Sequence, residues 1–502
     1  MRTEPRGTIN IVDLFVPSVS VMLNCTEGLV TLDRENNWTA CLAKDWKWID
    51  ERTIDFKLRE DVRFHNGEKF NALAVKINWN AYKRMENPRP HRFHVIPDET
   101  VLTIIDEYMI RFTFPEPDGL ALVRFGWFFQ IAPAFFAEYK FEENNWGYLP
   151  EAGPWGTGPF RFVEGRMRFA KPGVHLVLEA FEDYWDLRYP KVRQVIFDTK
   201  LLGNREKAMR LCEKTEGAVD IVSFIRPLDA LKVAESPFAK VVKSKDVVLL
   251  HCLLNQRKKE SKWKDIRLRQ AVNFAINREE LWKYAARGNA YNLGAAIPPG
   301  SLGHDPDLLP YSYDTKKARG LLAQAGYPQG FELKMIAFEA WKLEAQIISR
   351  MLERIGLRVR LDVFKYSEYM TKIYTPYLEK LPEEQDWDIA IYYSGDWFGH
   401  AGMTFLAYYL DGGGFRWSNY DTVYEGMWGQ VSKTVSPEEQ QKKIREMMRH
   451  RYNLAYELYL YSPISLYAVN KEVNFVPQKL IFLRLKETSV TKNHWSLRGK
   501  NN

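Results

Sequence analysis

The chain has 502 residues, which at about 150 residues per domain suffices for roughly three domains and a large hydrophobic core. Hydrophobic residues make up 46% and charged residues 27% of the sequence, which excludes disordered, collagen-like and coiled-coil classes. The net charge of +7 is small for this length and predicts no nucleic-acid partner. Aromatic residues reach 14%, enough for a core and for surfaces that stack on a bound ligand.

The sequence contains no signal peptide that we can recognise at its start, because the first apolar stretch is interrupted by Asp13 and Pro17. We therefore expect either a cytoplasmic chain or one whose signal has been removed. The best candidate for a membrane helix, residues 119–137, contains Arg124, Gln130 and Pro133. These residues predict a buried amphipathic helix and turn instead of a transmembrane segment.

The four cysteines are Cys25, Cys41, Cys212 and Cys252, and no CxxC motif occurs. A zinc ribbon or a redox pair of the thioredoxin type is therefore not supported. Two alternatives stay open: buried free thiols, or one disulfide between Cys25 and Cys41 in an oxidising compartment.

The first half of the chain is rich in predicted strands. Alternating apolar residues predict a strand over 53–58 and a hairpin over 101–114, with a helix over 72–85 between them. Dense Gly and Pro residues at 153–159 mark a crossing between structural units. Further strands are predicted over 174–180, 192–197, 217–222 and 247–254, and a helix over 204–213.

The second half alternates helices and strands. Asn277 and Ser436 are predicted helix N-caps, with Pro437 at the first position of its helix, and another helix is predicted to start at Asp314 or Thr315. An amphipathic helix over 342–354 is followed by a strand over 357–363. This alternation predicts an α/β layer with a largely parallel sheet.

A buried strand predicted over 388–393 ends at the sequence SGDWFGH, which contains Asp396. In open α/β sheets, ligands lie outside the carboxyl ends of the strands. An acid beside Trp397 and Phe398 at such an end is a candidate clamp for a cationic group on an otherwise apolar ligand. The alternative is that the Asp396 carboxylate caps the following helix.

Motifs of catalysis and cofactor binding are absent: we find no GxSxG, Walker A, GxGxxG or HExxH sequence. His91 and His94 are spaced like metal ligands, but flanking prolines and the lack of an acidic or Cys partner favour a surface loop. Carboxylate pairs for glycoside hydrolysis cannot be placed from a sequence with 64 acids. We therefore predict no cofactor, no metal and no enzymatic activity.

Several segments, in their order along the chain, resemble the family 5 extracellular solute-binding proteins, the peptide/nickel-type receptors of ABC importers. The resemblance extends from about residue 7 to residue 474. The matching segments are TEGLV (26–30), LAKDW (42–46), FKLREDVRFHNG (56–67), GTGPF (156–160), FEDYW (181–185), IRLRQAVN (266–273), IPPG (297–300), AGYP (325–328) and WSNYD (417–421).

The resemblance implies an α/β fold of the type II periplasmic-binding-protein class, with two lobes joined by a hinge and an extra subdomain in the first lobe. It assigns residues 1–30, 157–254 and 477–502 to the first lobe, 31–156 to the extra subdomain and 255–476 to the second lobe. The hinge is expected near residues 254–255 and 475–477.

The resemblance also implies a function. The two lobes are expected to close on a short or modified peptide, or another amine-bearing solute, and ligand binding shifts the open–closed equilibrium. The loaded protein is then recognised by an ABC permease in the membrane. We expect a monomer that is periplasmic or extracellular and associated with the membrane.

Peptide-binding relatives carry an Asp at the position of Asp396 that pairs with the α-ammonium of the ligand. The family pattern is roughly Ala/Gly-Asp-x-x-x-Pro, and this chain keeps Gly395-Asp396 but has His400 where the Pro is expected. The replaced Pro and the added Trp397 and Phe398 indicate a specificity other than for unmodified peptides. His400 is also one residue out of register with the His of nickel-type relatives.

Other residues are assigned to the ligand site with their alternatives. Glu27 is expected to meet a cationic side chain of the ligand or to hydrogen-bond to the hinge strand, and Lys342 to meet a ligand carboxylate or to be a solvated helix residue. Thr157 belongs to the GTG motif of the expected site. Trp155 and Trp417, with Trp397, are candidate stacking surfaces or core residues.

An oligosaccharide is the alternative ligand within the same family, because aromatic rings cover the apolar faces of sugars. The alternative from a different class is a glycoside hydrolase or esterase that shares only the composition.

Overall fold

A computed structural model of the protein describes residues 6–14, 17–84, 96–138, 148–149, 155–165, 167–168, 175–202, 204–245, 247–365, 368, 382–406, 410 and 421–499. The predicted His91–His94 pair and Trp417 lie outside these residues.

The strands are, in chain order, β1 (Thr8–Val12), β2 (Val30–Leu32), β3 (Trp38–Ala40), β4 (Ala43–Asp50), β5 (Thr53–Leu58), β6 (Val101–Asp106), β7 (Met109–Thr113), β8 (Tyr148–Leu149), β9 (Phe160–Glu164), β10 (Met167–Arg168), β11 (His175–Ala180), β12 (Gln194–Asp198), β13 (Ile221–Val222), β14 (Ala239–Ser244), β15 (Val248–Leu254), β16 (Ala290–Asn292), β17 (Glu332–Phe338), β18 (Arg358–Phe364), β19 (Ile389–Gly395), β20 (Glu457–Pro463), β21 (Ser465–Asn470), β22 (Val473–Asn474) and β23 (Ser489–Val490).

The α-helices are α1 (Pro17–Cys25), α2 (Ala72–Arg84), α3 (Ala121–Trp127), α4 (Pro133–Glu138), α5 (Arg205–Lys214), α6 (Pro227–Ala234), α7 (Ile266–Ala275), α8 (Arg278–Tyr284), α9 (Thr315–Gln324), α10 (Lys342–Glu353), α11 (Ala401–Phe405), α12 (Thr422–Lys433) and α13 (Pro437–Asn453).

The chain divides into two compact units. The first unit contains the described residues up to 245 and from 465 onward, and the second contains those from 247 to 464. Both boundaries lie earlier in the chain than the hinge positions that the resemblance implies. As a result β15, which the resemblance places in the first lobe, belongs to the second unit, and β21 belongs to the first.

The first unit contains a seven-stranded sheet in the order β14-β21-β13-β1-β12-β11-β9. Its central strand β1 runs parallel to β12 and β13, whereas the outer pairings are antiparallel. Alternate residues such as Ile9 and Ile11 are fully buried and pack with Phe197 and Tyr467 in one core. The predicted strands 192–197 and 217–222 correspond to β12 and β13.

A second sheet of the first unit, in the order β4-β5-β7-β6, has a separate aromatic core. The ring of Phe125 on α3 lies 4.7 Å from Phe56 on β5 and 4.5 Å from Phe112 on β7. The predicted hairpin over 101–114 is confirmed, since β6 and β7 pair antiparallel. This sheet and helices α2 to α4 lie within the range expected for the extra subdomain.

The second unit is built on a six-stranded sheet in the order β16-β20-β15-β19-β17-β18. Only β17 pairs parallel, with β18 and β19, so the prediction of a largely parallel sheet was wrong. The reason lies in the chain path. The chain enters this unit at the start of β15 and leaves it at the end of β20, and the pairing of Leu250 with Tyr461 puts these two ends at the same edge. The two strands therefore run antiparallel.

The predicted helix starts of the second unit are confirmed. Asn277 accepts a hydrogen bond from the backbone N–H of Glu280, and Asp314 accepts one from Lys317. Ser436 caps α13, with Pro437 at the first helical position. Each cap satisfies a backbone donor that the first helical turn leaves without a partner.

All four cysteines are buried free thiols, so the alternative of a Cys25–Cys41 disulfide is not realised. Burial raises the pKa of the Cys25 thiol. Within the described part of the chain, none of the helices has the length and apolar character needed to cross a bilayer.

Within the first unit, one buried carboxylate forms hydrogen bonds that join the C-terminal segment to the rest of the unit. Asp220 is fully buried and accepts hydrogen bonds from the backbone N–H of Asn10 (2.8 Å), Nδ2 of Asn470 (2.9 Å), Nε2 of His494 (3.1 Å) and Nε1 of Trp495 (3.0 Å). This one carboxylate therefore binds donors from three other segments of the chain.

We predict that Asp220→Ala lowers the free energy of unfolding of the first unit by about 3 kcal/mol, because several buried donors lose their acceptor. Calorimetric or chemical unfolding measures the loss. Asp183→Ala, at an exposed position of the same unit, is the matched control and should change stability by less than about 0.5 kcal/mol. Equal stability of the two variants would contradict the anchoring role.

Candidate functional site

Polar and aromatic side chains collect at one edge of the sheet in the second unit, which we call the carboxyl edge. β17, β18, β19 and β20 end there and β15 begins there, as the pairings Val248–Gly395 and Leu250–Tyr461 show. Ligands of α/β proteins bind at such edges because side chains from several strand ends converge there.

Asp396 follows the last residue of β19 and is 2% exposed. Its Oδ1 atom accepts hydrogen bonds from the backbone N–H groups of Phe398 (3.1 Å), Gly399 (3.0 Å) and His400 (3.2 Å), and from Oγ1 of Thr404 (2.7 Å). These bonds hold the turn that leads into α11, but the N-cap of that helix is His400, so the alternative that Asp396 caps the helix is not realised. They fix the carboxylate at the carboxyl edge.

The second carboxylate oxygen of Asp396, Oδ2, differs from Oδ1 in its hydrogen bonding. None of the hydrogen bonds between described residues reaches Oδ2. Burial raises the pKa of Asp396, while the hydrogen bond from Thr404 and the backbone donors favour the ionised form. Asp396 is therefore a buried carboxylate whose Oδ1 atom is bound by protein donors and whose Oδ2 atom accepts no hydrogen bond from a described residue.

His400 is 4% exposed, and both of its ring nitrogens contact protein groups. Nδ1 accepts a hydrogen bond from the backbone N–H of Met403 (3.0 Å), so His400 is the N-cap of α11. The Nε2 atom of the His400 ring lies 3.2 Å from Oε1 of Gln440. The side-chain amide nitrogen of Gln440 donates to the carbonyl groups of Val431 and Thr434, which fixes Oε1 as the atom that faces His400. This geometry requires a neutral imidazole with its proton on Nε2.

The neighbouring predicted residues have different exposures. Phe398 is 8% exposed and is mainly a packing residue, whereas Trp397 is partly exposed beside Asp396. Lys342 is exposed on the first turn of α10, which agrees with its alternative as a solvated helix residue.

The structure adds residues to the carboxyl edge that the sequence did not indicate. The ring of Trp341, the residue before α10, stacks on Tyr393 of β19 with centroids 5.4 Å apart. Glu344 in the first turn of α10 accepts a hydrogen bond from Tyr461 of β20 (2.8 Å). No motif in the sequence marks these pairs, because each joins residues more than fifty positions apart.

Glu27 lies in the first unit, where donors from three segments surround its carboxylate. Oε1 accepts hydrogen bonds from Tyr184 (2.7 Å) and from Sγ of Cys41 (3.6 Å), and Oε2 accepts from Thr157 (3.0 Å) and Trp185 (3.1 Å). Burial raises the pKa of Glu27. Both oxygens are engaged inside the unit, so the structure gives this residue an organising role.

The GTG motif passes close to the end of α1. A Cβ atom at Gly156 would lie 2.1 Å from the carbonyl oxygen of Cys25, and one at Gly158 would lie 2.6 Å from the carbonyl carbon of Cys25, so only glycine fits. This approach places Thr157, which is fully buried, against Glu27. Trp155 is partly buried, with its ring 5.5 Å from Phe135, and packs against the aromatic core.

The predicted site residues therefore form two groups, one in each unit. Glu27, Thr157 and Trp155 lie together in the first unit. Residues 396–400 lie together in the second, which also contains Lys342 at the start of α10. Across the described residues, no group of three or more His, Cys, Asp or Glu side chains is arranged to hold a metal ion.

Comparison with known proteins identifies the family. The sequence model of the bacterial extracellular solute-binding proteins, family 5, matches residues 37–416. The chain belongs to this family, which confirms the resemblance seen in the sequence. Members of the family are binding proteins.

Curated relatives share part of the chain. The glutathione-binding protein GsiB of Pectobacterium atrosepticum is 26% identical over 351 residues, which cover 68% of this chain and 64% of GsiB. Heme-binding protein A of Haemophilus influenzae is 25% identical over 362 residues, covering 65% of this chain and 62% of that protein. The matched region thus spans less than two thirds of these relatives.

A solved structure confirms the fold class. The ABC transporter-associated periplasmic binding protein DppA from Helicobacter pylori, in complex with the peptide STSA, superposes with a TM-score of 0.77. The superposition covers 97% of this chain and 98% of DppA at 20% sequence identity. The α/β fold of type II periplasmic binding proteins is therefore the fold of this chain.

We predict that His400 stays neutral in the folded protein at about pH 6, where an exposed imidazole is mostly protonated. Burial lowers the pKa of His400, and its Nδ1 must stay free of a proton to accept from Met403. Long-range 15N–1H NMR correlations should show the Nε2–H tautomer. An imidazolium spectrum for His400 at this pH would contradict the assignment.

Proposed function

We propose that this chain is the substrate-binding protein of an ABC importer, located outside the cytoplasm, and that it binds a short or modified peptide or another amine-bearing small solute. It delivers this solute, chemically unchanged, to a permease in the membrane. The single observation that carries the proposal is the carboxylate of Asp396, which is 2% exposed and keeps one oxygen free of hydrogen bonds from described residues.

An ammonium group fits this carboxylate. Burying a carboxylate without a cation is unfavourable, and the neighbouring His400 is held neutral and supplies no charge. An α-ammonium group of a ligand offers three donors and a full positive charge. A hydrogen bond to a charged group stabilises by about 1.5–3 kcal/mol, so one contact at Oδ2 contributes substantially to affinity.

The relatives support a peptide-like solute. GsiB is named a glutathione-binding protein, and DppA was solved with the peptide STSA. The partly exposed Trp397 beside Asp396 provides an apolar surface next to the charged anchor. That the protein acts as a monomer stays a prediction.

Transport without chemistry is favoured over hydrolysis. One set of side chains has the composition of a hydrolytic triad. The two ring nitrogens of His251 lie 3.3 Å from Oγ of Ser394 and 3.3 Å from Oε2 of Glu457. These residues are at most 5% exposed, and Arg451 pairs with Glu457 inside the unit. A substrate carbonyl has no access to such a serine, so we assign these contacts to the packing of three adjacent strands.

We predict that Asp396→Asn weakens binding of the tripeptide Ala-Phe-Ala by about 10- to 100-fold, because it removes the charge that faces the ammonium. Asparagine keeps an Oδ1 acceptor for Thr404 and the backbone donors, so the local turn is preserved. Isothermal titration calorimetry measures the affinity. N-acetyl-Ala-Phe-Ala, which lacks the ammonium, should bind the wild-type protein as weakly as Ala-Phe-Ala binds the variant.

Asp386→Asn is the matched control, since this exposed residue precedes the same strand at its other end. It should leave binding unchanged. The proposal fails if Ala-Phe-Ala does not bind, or if the acetylated and free peptides bind equally well. Binding of a neutral oligosaccharide such as maltotriose, unaffected by Asp396→Asn, would instead support the sugar-binding alternative.

A further inference from the structure

A second buried carboxylate, Glu344, lies at the carboxyl edge. It is 6% exposed, and Tyr461 Oη donates to its Oε1 atom at 2.8 Å. Besides this contact only its own backbone N–H interacts with the carboxylate, and no cationic side chain within the described residues pairs with it. Burial raises the pKa of Glu344.

The position of Glu344 is set by α10 and the sheet. Trp341, the N-cap of α10, precedes Glu344 by three residues and stacks on Tyr393. Tyr461, which donates to Glu344, lies two strands away from Tyr393, since both residues pair with Leu250 of β15. Glu344 and this aromatic pair therefore belong to the same edge of the sheet as Asp396.

The spacing of the two acids is that of a small solute. Tyr461 and Tyr393 are about 10 Å apart across two strand spacings, and Asp396 lies up to about 10 Å further along β19. The two carboxylates thus lie on the order of 10–15 Å apart. In an extended Phe-Lys dipeptide the two amines are about 10 Å apart, and an added residue extends this by about 3.5 Å.

Both acids share one electrostatic feature. Each is buried, each accepts a hydrogen bond from a hydroxyl group (Thr404 for Asp396, Tyr461 for Glu344), and neither forms an ion pair with a described residue. A single ammonium on the ligand compensates only one of them. A carboxylate that lacks a cation in a buried site is costly unless a bound cation completes it.

We infer that Glu344 is a second anionic anchor of the ligand site, so that the protein selects solutes with two cationic groups. Asp396 holds the α-ammonium, and Glu344 holds a side-chain ammonium or guanidinium. This inference rests on the proposed function and specifies the class of solute.

Matched peptides test the inference. Norleucine has the shape of the lysine side chain without its ammonium, so Phe-Lys is compared with Phe-norleucine, and Ala-Phe-Lys with Ala-Phe-norleucine. Calorimetric titration of the wild-type protein should show at least about tenfold tighter binding of the lysine form in one of the two pairs. The pair that shows the preference reports the spacing of the anchors.

Glu344→Gln keeps an acceptor for Tyr461 and removes the charge, so the preference for lysine should fall below about twofold. Binding of the norleucine peptides should stay within about threefold of the wild-type value, since Asp396 still holds the α-ammonium. Glu339→Gln, at an exposed acid just before α10, is the control and should retain the full preference. Far-UV circular dichroism and the melting temperature establish that each variant is folded.

The outcomes separate this inference from the proposed function. Equal binding of the lysine and norleucine peptides to the wild-type protein overturns the role of Glu344 and leaves the proposed function intact. A preference that survives Glu344→Gln also overturns it. Failure of every peptide to bind overturns the proposed function and this inference together. The wild-type comparison does not depend on the folding of any variant.

Discussion

The account depends on one constraint: a buried carboxylate must have its charge compensated. One oxygen of Asp396, Oδ1, is stabilised by protein groups, since three backbone N–H groups and the hydroxyl of Thr404 donate to it and hold the carboxylate in place. No described residue donates to Oδ2, and we propose that the ligand supplies the missing donor there. In this proposed role the donors fix the orientation of the acid before a ligand arrives, so that little ordering is needed on binding and affinity benefits from the preorganisation. Glu27 shows the contrast, because its two oxygens are both saturated by protein donors.

The path of the chain explains why this acid lies where it does. The chain enters the second unit at the start of β15 and leaves it at the end of β20. Both of these strand ends lie at the carboxyl edge. β17, β18 and β19 end at the same edge. The edge therefore collects strand ends from most of the sheet, and Asp396, Trp341 and Glu344 reach it from loops and helix starts that lie far apart in the sequence.

The sequence predicted elements whose signals are local. The N-caps at Asn277 and Ser436, the hairpin of β6 and β7 and the strand before Asp396 all depend on neighbouring residues, and the structure confirms them. Strand direction in the second unit was mispredicted, because alternation of helices and strands does not record where a chain enters and leaves a unit. The Tyr461–Glu344 contact was missed for a similar reason: it joins residues 117 positions apart. The resemblance to a family predicted the fold, which is confirmed, and the binding role of Asp396, which stays a prediction. Its motifs carry no information on a residue particular to this chain.

The most direct test of the central claim is mass spectrometry of the small molecules released when the purified protein is gently denatured, combined with amine-specific derivatisation. The account predicts a solute in about equimolar amount that carries a free amine and has the same mass before and after prolonged incubation with the protein. A neutral sugar as the bound solute would contradict the role of Asp396. A reaction product released over multiple turnovers would contradict binding without chemistry.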